Sequence, residues 1–204
     1  MSKPKKNEHM SKPKLKSDNL HSLQKLIVLH LAENEPQTIN QTVKAISKSY
    51  KPTWIAFNSL EKNKKLIGKT DIKGYKDYRG RKYPRYWLTD EGMIMALMEG
   101  ASSDKLLEET KILYPEAKIM HCFLEIMPFF DPEVIRMAYS NVKGKGKLGF
   151  IEVATLILSE AAMPMDIETG KKVATILKKY PDEYAKLKMV VQEMINQLSQ
   201  LIAD

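Results

Sequence analysis

Cysteine is almost missing from this chain: Cys122 is the only one among 204 residues. A single thiol cannot form an intrachain disulfide, so the fold must rest on its apolar core. A reducing, cytoplasmic setting is the simplest reading. Long apolar runs are missing as well. No stretch approaches the roughly 18 apolar residues that a membrane span needs, and the N-terminus lacks the apolar middle segment of a secretory signal. The patterns of catalysis are also thin. His9, His21 and His30 have no metal-ligand spacing with other donors. The run "GKGKLG" at 144–149 lacks the spacing and the terminal Lys-Ser/Thr of a phosphate-binding loop, and reads as a basic turn. No nucleophile triad or catalytic carboxylate pair can be argued from spacing. His121-Cys122 lies in an apolar helical run, where a small buried thiol is the default. The expectation is a protein that is not an enzyme and holds no metal or cofactor.

What the chain does have is an ordinary globular composition, 43% hydrophobic and 28% charged, enough to bury a core. Its formal charge of +8 is unevenly placed. Residues 1–100 hold 20 Lys and Arg against 10 Asp and Glu, while residues 101–204 hold 13 against 15. The first half is therefore at +10 and the second at −2, which points to one half facing a polyanion and another doing something else. A solvated basic surface with no partner is the plain alternative.

Residues 1–17 read as a disordered basic tail, rich in Lys and Pro, with "MSKPK" at both Met1–Lys5 and Met10–Lys14. Met10 is then an alternative start or the repeat a duplicated arm. The tail either adds attraction to phosphate or merely solubilises. Next comes an apolar helical stripe of Leu20, Leu23, Ile27 and Leu31, with Leu26 alongside. Pro36 closes the connection, and Thr38 with Gln41 three residues on forms a capping-box pattern for a second helix buried through Ile39, Val43 and Ile46. A third helix starts near Lys51 and runs to about Lys65, with Pro52 in its first turn. Two short helices joined by a few polar residues make a helix-turn-helix. "LIGKTDI" then reads as a strand, "KGYKDYRGRKYP" as a turn-rich loop, and "RYWL" as a strand able to pair back on the first.

The run Tyr86-Trp87-Leu88-Thr89-Asp90-Glu91-Gly92 resembles the Y-x-L-T-x-x-G segment that ends the wing in winged helix-turn-helix regulators of the MarR and PadR types. "SLEKNKKLI" at Ser59–Ile67 resembles the exit of their recognition helix. The family usually has a glycine just before Leu-Ile and one residue fewer after Leu-Glu. Here Asn63, Lys64 and Lys65 stand in that place, so either Asn63 takes the left-handed conformation or the helix runs longer. The resemblance covers residues 18–100. It implies Leu88 in the core, Thr89 as a helix cap, and Gly92 allowing close packing at the helix start.

The resemblance also implies transcriptional regulation through double-stranded DNA, with the third helix in the major groove and the hairpin on the backbone. On the reading helix, Lys51, Thr53, Trp54, Ile55, Asn58 and Lys62 are the candidates. Asn58 suits adenine, Lys51 guanine, and Thr53 or Ile55 a thymine methyl. On the wing, Lys73, Tyr75, Lys76, Tyr78, Arg79, Arg81, Lys82 and Arg85 suit phosphate and sugar, with Lys69 beside them. The alternative for the hairpin is a solvated edge whose charges resist sheet pairing. Trp54 is large for a base edge, and with Ile55 it would equally suit a winged helix that binds protein. An architectural or replication-associated binder with little sequence preference is the third reading.

Residues 101–204 read as an all-helical oligomerisation or regulatory domain, for which an effector ligand is unknown. Met120, Phe123, Met127, Phe129 and Phe130 either line an effector pocket or form core. In the last helix, Tyr184, Leu187, Val191, Met194, Leu198 and Leu201 recur at alternating spacings of three and four, a coiled-coil type of seam. It packs within the chain or pairs with a second copy; a two-fold DNA site would need a homodimer. The fold class expected is mainly α: a winged helix-turn-helix with a two-stranded β wing, then helices. A cytoplasmic, nucleoid-associated location follows from that reading.

Overall fold

The computed structural model describes residues 20–70, 83–143, 153–157, 166–189 and 192. The described chain is mainly helical, with one small two-stranded antiparallel sheet. Three helices come first: α1 (Ser22–Ala32), α2 (Ile39–Ala45) and α3 (Tyr50–Asn58). Strands β1 (Ile67–Thr70) and β2 (Arg85–Leu88) follow, and then α4 (Asp90–Met98), α5 (Ser103–Leu113), α6 (Lys118–Ile126), α7 (Pro132–Lys143) and α8 (Ile167–Lys179). Residues 153–157 and 181–189 are also helical.

Local chemistry sets most of these ends. Thr38 and Gln41 form the reciprocal box: Gln41 N–H donates to Thr38 Oγ1 at 3.2 Å, and Thr38 N–H to Gln41 Oε1 at 2.9 Å. Thr89 caps α4 by accepting from Gly92 N–H at 3.1 Å, and its hydroxyl donates to the Lys65 carbonyl at 2.7 Å. Ser102 starts α5, and Asp166 starts α8 by accepting from the Glu168 and Thr169 amides. Asp131 accepts from Glu133 N–H at 2.8 Å ahead of α7, with Pro132 as its first residue.

The face that α1 buries differs from the expected stripe. Gln24, Ile27, Val28, Leu31 and Ala32 face the core, whereas Leu26 is 37% exposed. Leu26 lies about 100° around the helix from Ile27, enough to carry it off the buried side. Gln24 survives burial because its Oε1 accepts from His21 N–H and its Nε2 donates to Ser59 Oγ at 3.0 Å. On α2 only Thr42 is fully buried; Ile39, Val43 and Ile46 are partly covered.

The pairing of β1 with β2 sets Ile67 opposite Leu88 and Thr70 opposite Arg85. The other edge of β2 is met by Gln37, which exchanges both backbone bonds with Tyr86 at 2.8 and 3.1 Å. With neighbours on both edges, all four residues of β2 are buried. Trp87 is fully enclosed and its indole N–H reaches the carbonyls of Leu31 and Asn34 at 2.9 and 3.2 Å, which ties the end of α1 to the sheet.

Every residue of α4 from Gly92 to Met98 is buried, because the helix has α1 on one side and α7 on the other. Tyr139 of α7 donates to Glu91 at 2.7 Å and Arg136 donates to the Met98 carbonyl at 3.1 Å. One cluster of buried side chains therefore extends from Ile27 through Met93 to Phe123, Ile135 and Val153. Met120, Phe123 and Met127 belong to that core and are not free to line a pocket, while Phe129 and Phe130 are partly buried.

A smaller cluster of Cys122, Ile126, Val173 and Ile176 joins α6 to α8. The Cys122 thiol is free of any disulfide and buried, and burial, aided by Glu125, pushes its pKa up to about 12. Glu125 borders this cluster and accepts from Tyr180 at 2.7 Å and Lys179 at 2.9 Å, with Lys111 at 3.4 Å. Burial works to raise its pKa, but the bonds from Tyr180 and Lys179 and the two lysine charges outweigh that and hold it below the usual glutamate value. A carboxyl with a depressed folded-state pKa contributes stability above its unfolded pKa and loses it as pH falls through the folded one. The wild type should therefore lose stability below about pH 4.5, and Glu125→Gln should flatten that part of a urea-midpoint-against-pH curve. Parallel curves would remove Glu125 from the acid response.

Candidate nucleic-acid interface

The third helix does not stop where α3 loses its regular turn. It continues as a π-helical turn, Ser59–Lys64, and ends at Lys65, whose φ of 57° is left-handed. A π turn has a wider repeat than an α turn, and through it the helix runs on to Lys64. The residue in the left-handed conformation is Lys65 and not Asn63. Leu66 N–H then closes the end on the Leu60 carbonyl at 2.9 Å. Ser47, with φ 51°, is the left-handed residue in the turn between α2 and α3.

This continuous helix buries Thr53, Ala56, Phe57 and Leu60. Phe57 meets the Tyr86 ring edge-on at 5.3 Å, which fixes α3 against β2. The outward stripe is Tyr50, Lys51, Trp54, Ile55, Asn58 and Lys62, all at helical spacing. Tyr50, Trp54 and Ile55 are 52%, 47% and 53% exposed. Tyr50 was missed in the sequence, although it stands one turn before Trp54 on the same stripe. Lys44, Lys48 and Lys65 are exposed near the two ends. Between residues 44 and 65 there are six lysines and one acid, Glu61. That carboxylate is paired with Lys69 Nζ at 3.3 Å, and the hydrogen bond raises the Lys69 pKa.

Two expected contact residues are withdrawn from the surface. Thr53 is fully buried, its hydroxyl donating to the Ser49 carbonyl at 2.9 Å, because it falls on the core side of the helix with Phe57. Arg85 is 5% exposed. Its Nη1 donates to the Pro36 carbonyl at 2.7 Å and lies 3.6 Å from Glu35. Arg85 thus joins β2 to the loop before α2, and its charge is spent inside the protein. Asn58 keeps part of its side chain outside, but its Nδ2 donates to the Trp54 carbonyl at 3.1 Å. Lys73, Tyr75, Lys76, Tyr78, Arg79, Arg81 and Lys82 lie outside the described residues. So do Val191, Met194, Leu198 and Leu201 of the helical seam; Leu187 is buried and Tyr184 is 48% exposed.

Among the described residues no helix is long and apolar enough to cross a membrane. No three His, Cys, Asp or Glu side chains there group to hold a metal ion. No protein-family model, curated protein or solved structure matches the chain.

Proposed function

We propose that this chain is a non-enzymatic, double-stranded DNA-binding protein built on a winged helix-turn-helix, and that it regulates transcription. The observation that carries the reading is the outward stripe of α3, which is set on a three-helix unit, ringed by lysines and followed by a hairpin. An α-helix fits the major groove of B-DNA, and lysines at its two ends reach the flanking phosphates. The basic run from Lys73 to Lys82 supplies the wing that lies on the backbone. The regulator works in the cytoplasm as a homodimer, because a pseudo-palindromic site is matched by two-fold protein symmetry. Leu187 of the last-helix seam is taken up by the chain's own core, so pairing falls to the rest of that seam.

Fluorescence anisotropy on random and selected duplexes across a salt series tests this. The wild type should show a steep decline in affinity with salt. Each phosphate contact removed should lower the slope by about 0.9, so Lys51→Ala with Lys62→Ala should flatten it by up to about 2, and alanines at Arg79, Arg81 and Lys82 by up to about 3. Absence of binding at low salt would reject the DNA reading. The exposed Tyr50, Trp54 and Ile55 would then favour the protein-interaction module.

A further inference from the structure

We infer that α3 selects DNA by the 5-methyl groups of pyrimidines in the major groove, and that Ile55 and Trp54 are the residues that read them. The inference rests on the DNA-binding reading above. It starts from what the outward stripe lacks. No arginine lies between residues 50 and 65, so a guanine contact from the outward stripe falls to lysine alone, at Lys51 or Lys62. Thr53 is turned into the core. Asn58 has one amide N–H committed to the Trp54 carbonyl, and its second N–H and Oδ1 are what it can offer a base edge.

The centre of the stripe is instead apolar. Trp54 and Ile55 stand about half exposed between Lys51 on one side and Lys62 on the other. Exposed lysines border this patch at 44, 48, 51, 62 and 65, and its one acid is paired with Lys69. An apolar patch with a cationic rim complements a surface whose rim is anionic and whose floor carries apolar groups. The DNA major groove is such a surface wherever a thymine or 5-methylcytosine presents its methyl. Burying one methyl against Ile55 or the indole should strengthen binding about fourfold.

The experiment uses the full chain and a duplex enriched from a random pool, prepared with thymine and again with deoxyuridine, which removes only the 5-methyl. Replacing thymine should weaken wild-type binding on the order of tenfold if two contacts are lost. Ile55→Ala with Trp54→Ala should bind the two duplexes equally. Both side chains are exposed, and an unchanged thermal midpoint confirms that the variant is folded. Lys51→Ala with Lys62→Ala is the control: it should lower affinity for both duplexes and keep their ratio. Tight wild-type binding with no difference between the duplexes overturns the inference and leaves the DNA reading standing. A difference that persists in the Ile55/Trp54 variant also overturns it, by placing the methyl reader elsewhere. No binding to any duplex at low salt overturns both.

Discussion

Gly92→Ala should destabilise the protein by about 3–5 kcal/mol, at the upper end for a single substitution. Gly92 is the third residue of α4, where the helix starts directly over the end of the π turn. A Cβ built there would sit 1.9 Å from the Leu66 carbonyl oxygen and 2.9 Å from its carbon. Both atoms are backbone, so no rotamer change can relieve the overlap. That carbonyl also accepts from Thr89 N–H at 3.0 Å, and Thr89 caps α4. Moving Leu66 aside therefore disturbs the strand, the cap and the exit of α3 together. Urea denaturation should show a large drop in midpoint, or an unfolded chain. Gly68→Ala is the comparison: its added methyl would meet only the Thr89 methyl at 3.7 Å, an ordinary contact. Equal effects at the two positions would mean that the close approach at Gly92 is not what demands glycine.

Trp87→Ala should cost about 3–5 kcal/mol through the cavity it leaves. Trp87→Phe separates the ring from its polar handle. Phenylalanine retains much of the apolar contact with the core but removes the N–H that Leu31 and Asn34 share. The Leu31 carbonyl belongs to the last turn of α1, where no amide further along the helix is available to it. Losing the donor to such a buried acceptor should cost about 1–3 kcal/mol. Equilibrium unfolding at constant m-value measures both. A Trp87→Phe midpoint equal to wild type would show that the indole bond contributes nothing and that Trp87 acts by volume alone. Tyr86 meets Phe57 of α3, so the next residue, Trp87, faces the other side of β2. On the proposed reading, a folded Trp87→Phe protein should keep the wild-type DNA affinity.

The sequence by itself determined the elements that depend on neighbours in the chain. The Thr38–Gln41 box, the Thr89 cap, the Asp131-Pro132 and Asp166 starts, and the two short strands all follow from side chains acting within a few residues. Only the tertiary structure decided what happens to residues whose partners lie far along the chain. Arg85 reads as one more cation of a basic hairpin until the Pro36 carbonyl, 49 positions away, is brought beside it. Gln24 reads as surface until Ser59 arrives, and Thr53 as a base reader until its helix is rotated by the packing of Phe57 on Tyr86. The helix exit was undecided between a left-handed Asn63 and a longer helix; the folded chain runs the helix on as a π turn and puts Lys65 in the left-handed position. Local hydrogen bonds and helical periodicity are written in adjacent residues. The rotation of a helix and the burial of a charge are set by which distant surfaces meet, and that is a property of the folded chain.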